Sequence, residues 1–593
     1  NNMTAAQREL ATLENFRAGK PSAYTLQAPQ AGRTRDDAIA IWSYTNTGLF
    51  LQDNFKVTPA LNVMLGLRMD QQGVPTAPIA NPNVAAAPVA GSVNGSTHTR
   101  NTGGFGMDNT VTLDGNRLFQ PRVGFNWDIG GKEQRMQLRG GLGLFQGAAA
   151  NVWLSNPFSN TGMAIASLNC ASYTACSTAS GGGQLLFRTN PDNQPQLTGT
   201  IPAANVDLLS PNLQQPSVWK LNLAFETQLP ELPVVGQLVA SAEWLHTKTD
   251  SSVYYQHLNL GAATRTGTDG RQLFYRTEGY NGSCWNANGT PITNGACATP
   301  SGQSRTRALS NARFNNVLLA AQSKKGGGDA ITLSVGQPTT AGFGWNLAYT
   351  KTTAKEVSPL TSSTSGSNWS NRNIFNPNEE ELSNSNYLVK DRINASLNWA
   401  KAFVGTYQTS VGVFYEGRRG KPYSWTYLND LNGDGIGGND LMYIPSAPGS
   451  GEVVFRGRSA SETPQQAEDA FWSVVNGNAG LASAKGGLVG RNNNFAPWVN
   501  NVDVRLKQEL PGFTKGHKAS FTVDILNFGN LLNKKWGRID EVDFPSNRSF
   551  VNYNGLDANG KYIYSMGSVE DMVTRQNSGE SQWAVQLTLR YEF

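Results

Sequence analysis

The clearest set of metal-binding side chains lies in the segment Asp430-Leu431-Asn432-Gly433-Asp434-Gly435. Oxygen-bearing side chains at alternate positions, followed by a glycine for a sharp turn, are typical of the opening of a calcium loop. The bidentate glutamate expected at the twelfth position is replaced by Leu441. The alternative is a Gly/Asn/Asp turn without metal. The predicted ligands are Asp430, Asn432, Asp434, Ile436 through its carbonyl and Asp440 as the substitute carboxylate.

The four cysteines form two local pairs, Cys170 with Cys176 and Cys284 with Cys297, each in a polar stretch rich in Gly, Ser and Asn. Neither spacing is CxxC, and no histidine lies nearby. We therefore predict two loop disulfides formed in an oxidising compartment. The alternative is four free thiols in a cytosolic protein.

Enzymatic chemistry finds little support in the sequence. The four histidines are scattered, and none lies in an HExxH motif or near a GxSxG motif. No nucleophile, base and orienting group can be assembled around them. Glycine-rich stretches such as 326–328 lack the GK[ST] of a phosphate loop and instead suggest strand bends. We predict that the chain is not an enzyme. The histidines are His98, His246, His257 and His517.

The elements that carry these loops are indicated by the last twelve residues, 582–593. Apolar and polar side chains alternate there, so an extended strand would have one apolar and one polar face. Its length fits the roughly 9–11 residues that cross a bilayer at a tilt. The alternative is an edge strand of a soluble sandwich. The apolar row comprises Trp583, Val585, Leu587, Leu589, Tyr591 and Phe593.

Composition permits a membrane protein whose strands are half polar. The chain has 593 residues, of which 39% are hydrophobic and 15% charged. An average globular chain is roughly 25% charged. No run of 18 apolar residues exists, so no transmembrane helix is predicted. The mean hydropathy is −0.39, which fits strands with one polar face and long polar loops. The net charge of +5 is small, and no basic tract indicates nucleic-acid binding.

The alternating pattern recurs and predicts thirteen strands, separated by connections that are alternately short and long. This sorting by length is typical of a barrel with short periplasmic turns and long outer loops. Charges in mid-strand, such as Arg505 and Asp524, suit a wet interior. The predicted strands are 44–56, 61–71, 117–129, 134–146, 216–229, 235–248, 313–336, 343–354, 386–400, 406–417, 497–509, 517–529 and 582–593. The predicted long loops are 72–116, 147–215, 249–312, 355–385, 418–496 and 530–581.

Two capped helices are predicted outside the strands. Thr4 with Gln7 resembles a capping box at the start of one helix, and Thr463-Pro464 resembles the start of another. Such helices either pack on the barrel rim or contact a substrate. The predicted organisation is an extracellular loop segment with a short helix over residues 1–43, followed by barrel over residues 44–593.

Several segments resemble the TonB-dependent receptors of the outer membrane, and some of them the Oar-like branch specifically. The resemblance covers about residue 40 to the end. The final aromatic residue resembles the signal by which the barrel-assembly machinery recognises such chains. The segments are Phe119-Gln120-Pro121-Arg122-Val123-Gly124-Phe125-Asn126-Trp127-Asp128, Leu138-Arg139-Gly140-Gly141-Leu142-Gly143-Leu144-Phe145, 152–162, Phe414-Tyr415-Glu416-Gly417, Gly420-Lys421-Pro422-Tyr423-Ser424, 430–435, Asn439-Asp440-Leu441-Met442-Tyr443-Ile444-Pro445, and Arg491-Asn492 followed by Pro497-Trp498 and Asp503.

The resemblance implies an all-β, antiparallel transmembrane barrel of about 22 strands, of which about 13 are in this chain and the plug domain is absent. The number of predicted strands is odd, and the chain starts at Asn1-Asn2-Met3. Both observations suggest the C-terminal part of a longer protein. The implied setting is the outer membrane of a Gram-negative cell, in contact with its lipid and lipopolysaccharide.

The implied function is energy-coupled uptake of a bulky, unknown solute. The TonB complex would bind through the missing N-terminal region, and this fragment alone would not transport. The alternatives are a surface adhesion or structural protein that uses the barrel as a scaffold, and a passive porin. The coding sequence upstream of Asn1 discriminates between them, since only the transporter requires a plug.

Overall fold

The computed structural model describes the chain except for residues 1–3, 22, 90–101, 132–134, 171–185, 191–192, 195–202, 232–235 and 301–302. Its largest element is a sheet of sixteen strands, thirteen of which follow one another in chain order, each antiparallel to the next. The thirteen are β1 (Thr45–Thr58), β2 (Leu61–Gly73), β3 (Arg117–Asp128), β4 (Met136–Gln146), β5 (Ser217–Gln228), β6 (Val239–His257), β7 (Gly327–Thr340), β8 (Phe343–Glu356), β9 (Asp391–Val404), β10 (Tyr407–Arg418), β11 (Val499–Pro511), β12 (Lys518–Leu526) and β13 (Ala584–Glu592).

Alternation of side chains explains why these segments form one two-faced sheet. In β13, Leu587 lies opposite Val523 and Leu589 opposite Phe521, whereas the intervening Thr588 lies opposite Thr522. Cross-strand neighbours therefore match in polarity on each face, which stabilises the register. Leu587 and Leu589 remain exposed to the surroundings. The sheet has an apolar face and a polar face, as the sequence predicts.

Two expectations about the large sheet need correction. Within the described residues, β1 and β13 are its two edges and do not pair, so the sheet is not a closed barrel. The predicted single strand 313–336 is two strands, Phe314–Ser323 and β7. Both pair with β6, and residues 249–257, predicted as loop, belong to that strand.

The interruption before β7 is a bend and not a bulge. Ser323 lies opposite Ser252 and Gly327 opposite Lys248, so three residues separate the paired positions on each side. No residue is inserted, and the register continues unchanged. Gly326 and Gly327 have φ values of 134° and 131°, which residues with a Cβ rarely adopt. These glycines therefore allow the chain to leave β6 and return to it.

The connections at one end of the sheet are short and those at the other are long. The short ones are 59–60, 129–135, 229–238, 341–342, 405–406 and 512–517. The long ones are 74–116, 147–216, 258–326, 357–390, 419–498 and 527–583. We call the end with the long connections the long-loop end. Most residues that bury large side chains lie there.

Short elements give the long connections their own structure. The helices are α1 (Ala5–Arg17), α2 (Pro82–Ala85), α3 (Asn151–Ser159), α4 (Thr277–Tyr280), α5 (Ser365–Ser370), α6 (Pro464–Asn476), α7 (Ala479–Ala482) and α8 (Phe528–Leu532), with 3-10 turns at Asp36–Ala38, Leu258–Leu260, Gly282–Cys284 and Gly295–Cys297. The additional strands are Tyr24–Pro29, Ile165–Cys170, Ala204–Leu209, Arg265–Thr266, Gln272–Leu273, Phe314–Ser323, Ser383–Asn384, Pro422–Thr426, Tyr443–Ile444, Val454–Phe455, Gly487–Leu488, Asn494–Phe495, Asp540–Glu541, Asn547–Ser549, Val551–Leu556, Tyr562–Met566 and Val573–Thr574.

Both predicted capped helices are confirmed. Thr4 caps α1 through a reciprocal pair of hydrogen bonds with Gln7, and Thr463 caps α6 through the same arrangement with Gln466. Helix α6 buries one face, whereas α1 buries no side chain completely. In the described part of the chain, no helix is long and apolar enough to span a bilayer.

Candidate functional site

Three long connections share one hydrophobic core at the long-loop end. Residues from 258–326, 419–498 and 527–583 meet there, although they are up to about three hundred positions apart in sequence. Its centre is aromatic: the rings of Tyr275 and Tyr553 stack at 5.7 Å, and Trp285 meets Tyr553 edge-on at 5.3 Å. We call this set the long-loop core. It comprises Leu273, Tyr275, Trp285, Tyr423, Trp425, Tyr427, Leu431, Met442, Ile444, Val453, Phe455, Ala467, Phe471, Trp472, Val475, Leu481, Val489, Phe550, Val551, Tyr553, Leu556, Tyr562, Tyr564 and Met566.

A buried ion cluster ties the same three connections together. The guanidinium of Arg271 is fully buried and lies 3.3 Å from Asp269 and 3.1 Å from Asp440. It also donates to the carbonyl of Leu441, and the Tyr562 hydroxyl donates to Asp269 at 2.7 Å. Because a buried charge is tolerated only when it is paired and hydrogen-bonded, the cluster fixes the relative positions of these loops.

The predicted calcium segment forms a tight turn beside this cluster. The two carboxylate oxygens of Asp430 accept hydrogen bonds from the amides of Gly433 at 2.6 Å and Gly435 at 2.8 Å. Asn432 accepts from the amide of Asp434, and Asp434 from that of Ile436. Each carboxylate oxygen keeps a second lone pair, so these bonds leave capacity for a cation.

Asp440, the predicted substitute for the twelfth-position glutamate, makes different contacts from Asp430 and Asp434. One of its oxygens accepts from Arg271, and the other from the amides of Leu431 and Asn432. Asp440 is therefore already paired with Arg271, which also pairs with Asp269. Within the described residues, no three Asp, Glu, His or Cys side chains form a group that could hold a metal ion. A calcium ion would therefore also need Asn432 and the backbone carbonyl of Ile436.

The carboxyls of this turn are held in an unfavourable setting for ionisation. Burial raises the pKa of Asp434 to about 8. Burial, with repulsion from Asp434 and Asp440, raises the pKa of Asp430 well above its ordinary value. Burial also raises the pKa of Asp440, although Arg271 counteracts it. Without a cation, Asp434 therefore favours the protonated form near neutral pH, and the pKa of Asp430 is shifted in the same direction.

One of the two predicted disulfides is present in full. Cys284 and Cys297 are bonded, with their Cα atoms 5.3 Å apart. The bridge closes a loop that also holds Trp285, a member of the long-loop core. Cys170 is disulfide-bonded too, and its predicted partner Cys176 lies outside the described residues. His98 also lies outside them.

The polar face of the sheet carries the mid-strand charges that the sequence places there. Arg505 pairs with Asp524 across β11 and β12 at 2.5 Å, and Arg392 with Glu416 across β9 and β10 at 2.5 Å. Arg68 and Asp70 pair at 2.6 Å on β2. These charges lie on the face opposite the apolar one, which is where a wetted wall would place them.

The sequence reasoning missed Arg271 and Asp269. They stand in the turn Thr268-Asp269-Gly270-Arg271, a pattern common in surface loops. Their burial depends on Asp440 and Tyr562, which are far along the chain. No local signal distinguishes such a turn from an exposed one. The described histidines contact Asp329 (His246), Asn316 (His257) and Tyr591 (His517).

Comparison with known proteins gives a family match that covers most of the chain. Residues 1–542 match the family model described as an outer membrane beta barrel domain. No curated protein matches the sequence.

Solved structures are similar only at low identity. The outer membrane transporter YddB from Escherichia coli is 9% identical, with 93% of this chain and 45% of that one covered and a TM-score of 0.38. The siderophore receptor PirA from Acinetobacter baumannii is 10% identical, with coverages of 81% and 41% and a TM-score of 0.34. The FrpB iron transporter from Neisseria meningitidis is 8% identical, with coverages of 93% and 46% and a TM-score of 0.34. The chain spans less than half the length of each of these three proteins.

Proposed function

The chain belongs to the outer membrane β-barrel domain family, and from that membership we propose that it is part of a TonB-dependent receptor for energy-coupled uptake of a bulky solute. The family places the protein in the outer membrane. The sheet fits this setting, because its apolar face suits lipid and its polar face suits a wet lumen. In this proposal the long-loop end is extracellular.

The observation that carries the proposal is the long-loop core. A set of 24 buried residues from three connections forms a folded unit at the long-loop end of the sheet. Flexible loops would leave that end open. Recognition sites are commonly built on loops that a rigid scaffold positions. A passive porin needs an unobstructed opening, so a packed loop unit favours capture of a specific solute over free diffusion.

The finer parts of the proposal rest on the sequence motifs. The motifs at 414–424, 430–435 and 439–445 suggest the Oar-like branch, and the final strand suggests insertion by the barrel-assembly machinery. We propose that a plug and a TonB-binding segment belong to the same protein, upstream of Asn1. Calcium in the turn at 430–440 stays a prediction, and the sequence suggests no other cofactor and no enzymatic activity.

The test uses the full-length protein encoded by the gene. Its coding sequence upstream of Asn1 is read first, and the purified protein is then titrated with the periplasmic domain of TonB from the same organism. We expect a plug-like domain and saturable TonB binding. Absence of the plug or of TonB binding would rule out active transport. Planar-bilayer conductance then separates the alternatives, since a porin conducts and a sealed surface scaffold does not.

A further inference from the structure

Among the described residues, a group of basic side chains on the polar face lacks the acidic partners found elsewhere on that face. Arg122 lies on β3 opposite Gly143 of β4, which in turn lies opposite Lys220 of β5. One row nearer the short turns, Gly124 lies opposite Gly141. In the next row, Arg139 of β4 lies opposite Asn126 of β3. Lys56 of β1 lies in that row too, opposite Asn62 of β2. All four cations therefore lie on one face, in the first and third of three neighbouring rows.

Glycines between these cations leave a hollow in the wall. Gly124, Gly141 and Gly143 supply no side chains at the centre of the group, and the surrounding residues line an open hollow of about 840 Å³. A Cβ at Gly143 would lie 3.0 Å from Cγ of Arg122 and 3.1 Å from the ring of Phe145. Glycine at this position therefore allows Arg122 to reach across β4. We call this hollow the basic pit.

Phe145 orders two of the cations at the pit. The guanidinium of Arg122 lies 4.6 Å from the Phe145 ring centroid, and the ammonium of Lys220 lies 6.0 Å from it. Both distances fit cation–π contacts. The Nε of Arg122 is buried and has no hydrogen-bond partner. An aromatic ring can position a cation, but it does not neutralise the charge.

The charge balance of the basic pit differs from that of the rest of the face. The described residues that line the pit include four cations and no Asp or Glu. Elsewhere on the face Arg505, Arg392 and Arg590 each pair with a carboxylate within 2.9 Å. The nearby Glu243 accepts a hydrogen bond from Asn222 at 2.5 Å and forms no ion pair with a pit cation. The charged side chains that line the pit, among the described residues, are therefore all positive.

We propose that the basic pit binds a small molecule bearing several carboxylate or phosphate oxygens. A cavity of this size is in the range that encloses a drug-sized ligand. Arginine and lysine together suit such groups, since arginine contacts two oxygens at once and lysine adds a point charge. This inference rests on the proposed function in one respect. It takes the anion to be the transported solute, or another solute that passes through the lumen.

The test measures anion binding to the full chain, refolded from inclusion bodies into non-ionic detergent so that no lipopolysaccharide phosphate is carried over. Inorganic pyrophosphate and citrate are the phosphate and carboxylate probes, titrated by calorimetry. We expect saturable binding of at least one probe in dilute buffer. Binding should weaken strongly in 0.5 M NaCl, because salt screens exposed charges.

Variants locate the binding at the pit. Arg122→Gln and Lys220→Gln should each weaken the tighter probe about fivefold, as expected for loss of one unit charge near 4 Å in water. Arg590→Gln, which removes a paired cation from the same face, should leave binding unchanged. Circular dichroism checks that each variant keeps its strands. Equal weakening by Arg590→Gln, or no binding of either probe, would overturn the proposal.

The two proposals fail in different experiments. If the chain binds anions but the full-length protein does not bind TonB, active transport is ruled out and the proposal of the basic pit stands. If the full-length protein binds TonB but neither Arg122→Gln nor Lys220→Gln weakens anion binding, the receptor proposal stands and the proposal of the basic pit is wrong. Poly-L-glutamate serves as a third probe. If it binds while pyrophosphate and citrate do not, the occupant is an acidic protein segment and the small-molecule proposal is wrong.

Discussion

Arg271 is a completely buried charged residue beside the long-loop core. It is completely buried, pairs with Asp269 and Asp440, and lies with its guanidinium 4.9 Å from the ring centroid of Phe375 and 5.9 Å from that of Tyr427. Its partners belong to three long connections, 258–326, 357–390 and 419–498. The residue therefore acts as a structural junction, and its loss should affect segments far from it in sequence.

Replacing Arg271 by Met should destabilise the long-loop core by about 3–5 kcal/mol, because it leaves two carboxylates buried without their cation. Hydrogen exchange of the strands Val551–Leu556 and Tyr562–Met566 measures the effect. The control is Arg505→Gln, whose arginine is 66% exposed and whose pair contributes at most about 1 kcal/mol. Unchanged exchange in Arg271→Met would show that the cluster does not hold the loops together.

Asp434 should make the stability of the long-loop core depend on pH. Its pKa is about 8 in the folded chain against an ordinary value of 3.8. The folded state binds the proton more tightly, so this contribution is complete below about pH 4 and is lost as the pH rises through 8. The window from pH 6.5 to 8.5 covers the loss of this contribution.

In that window the unfolding temperature should fall as pH rises, and Asp434→Asn should reduce the slope, since the amide keeps the turn without the charge. Part of the dependence of unfolding temperature on pH should remain in this variant, because the pKa of Asp430 is also raised. The same measurement tests calcium. At pH 8.5, millimolar calcium chloride should raise the unfolding temperature of the native chain and not that of Asp434→Asn. An equal response of both proteins would count against the predicted metal turn.

At the level of elements, the bend between Phe314–Ser323 and β7 relies on glycine. Gly327 has a φ of 131°, and a Cβ there would collide with the carbonyl oxygen of Thr247. Gly327→Ala should therefore destabilise the sheet by about 1–3 kcal/mol through backbone strain. Gly66→Ala is the matched control, because its nearest neighbours would lie 3.7 Å from the new Cβ. Urea unfolding of the two variants compares them. Equal midpoints would mean that the bend tolerates a side chain.

The strands were largely predictable from the sequence, and the bend shows where such prediction ends. Alternation of polarity located eleven of the thirteen strands to within about five residues at each end, because each strand has one apolar face. Strand β6 ends nine residues later than predicted, and β7 begins fourteen residues later. The pattern continues on both sides of Gly326, so it cannot reveal that the chain leaves the sheet there. The glycines signalled a bend or bulge, but only the partner residues Ser252 and Lys248 on β6 establish that no residue is inserted.

On the scale of the whole molecule, the same substitution should destabilise the protein much more on the apolar face of the sheet than on its polar face. Leu333 of β7 points from the apolar face and is 54% exposed, whereas Thr332 points from the polar face and contacts Thr350. Leu333→Lys should lower the stability of the membrane-inserted protein by about 2–4 kcal/mol if the site lies near the bilayer centre. Thr332→Lys should change it by less than about 1 kcal/mol. Unfolding in lipid vesicles is the measurement. Equal effects would mean that Leu333 does not face lipid.

The long-loop core could not be predicted because no local pattern marks it. Tyr275, Tyr427 and Tyr564 stand in stretches whose composition is that of ordinary polar loops, and they meet only after the sheet has brought their connections to one end. The sequence did place the acidic turn at 430–440 and the bridge of Cys284 with Cys297 in those loops. It did not predict the burial of either, nor the basic pit, whose cations come from four strands.

The long-loop core also has a consequence for the order of biogenesis. Tyr275 stacks on Tyr553 across a sequence separation that spans six of the thirteen strands, so closing this contact early would restrict a very long chain segment. Strand pairing between chain neighbours closes far shorter segments and should come first. The long-loop core is therefore expected to form last, after the sheet is in the membrane. During insertion the loops would resemble an unfolded chain, and protease resistance of the long-loop core should appear later than strand formation.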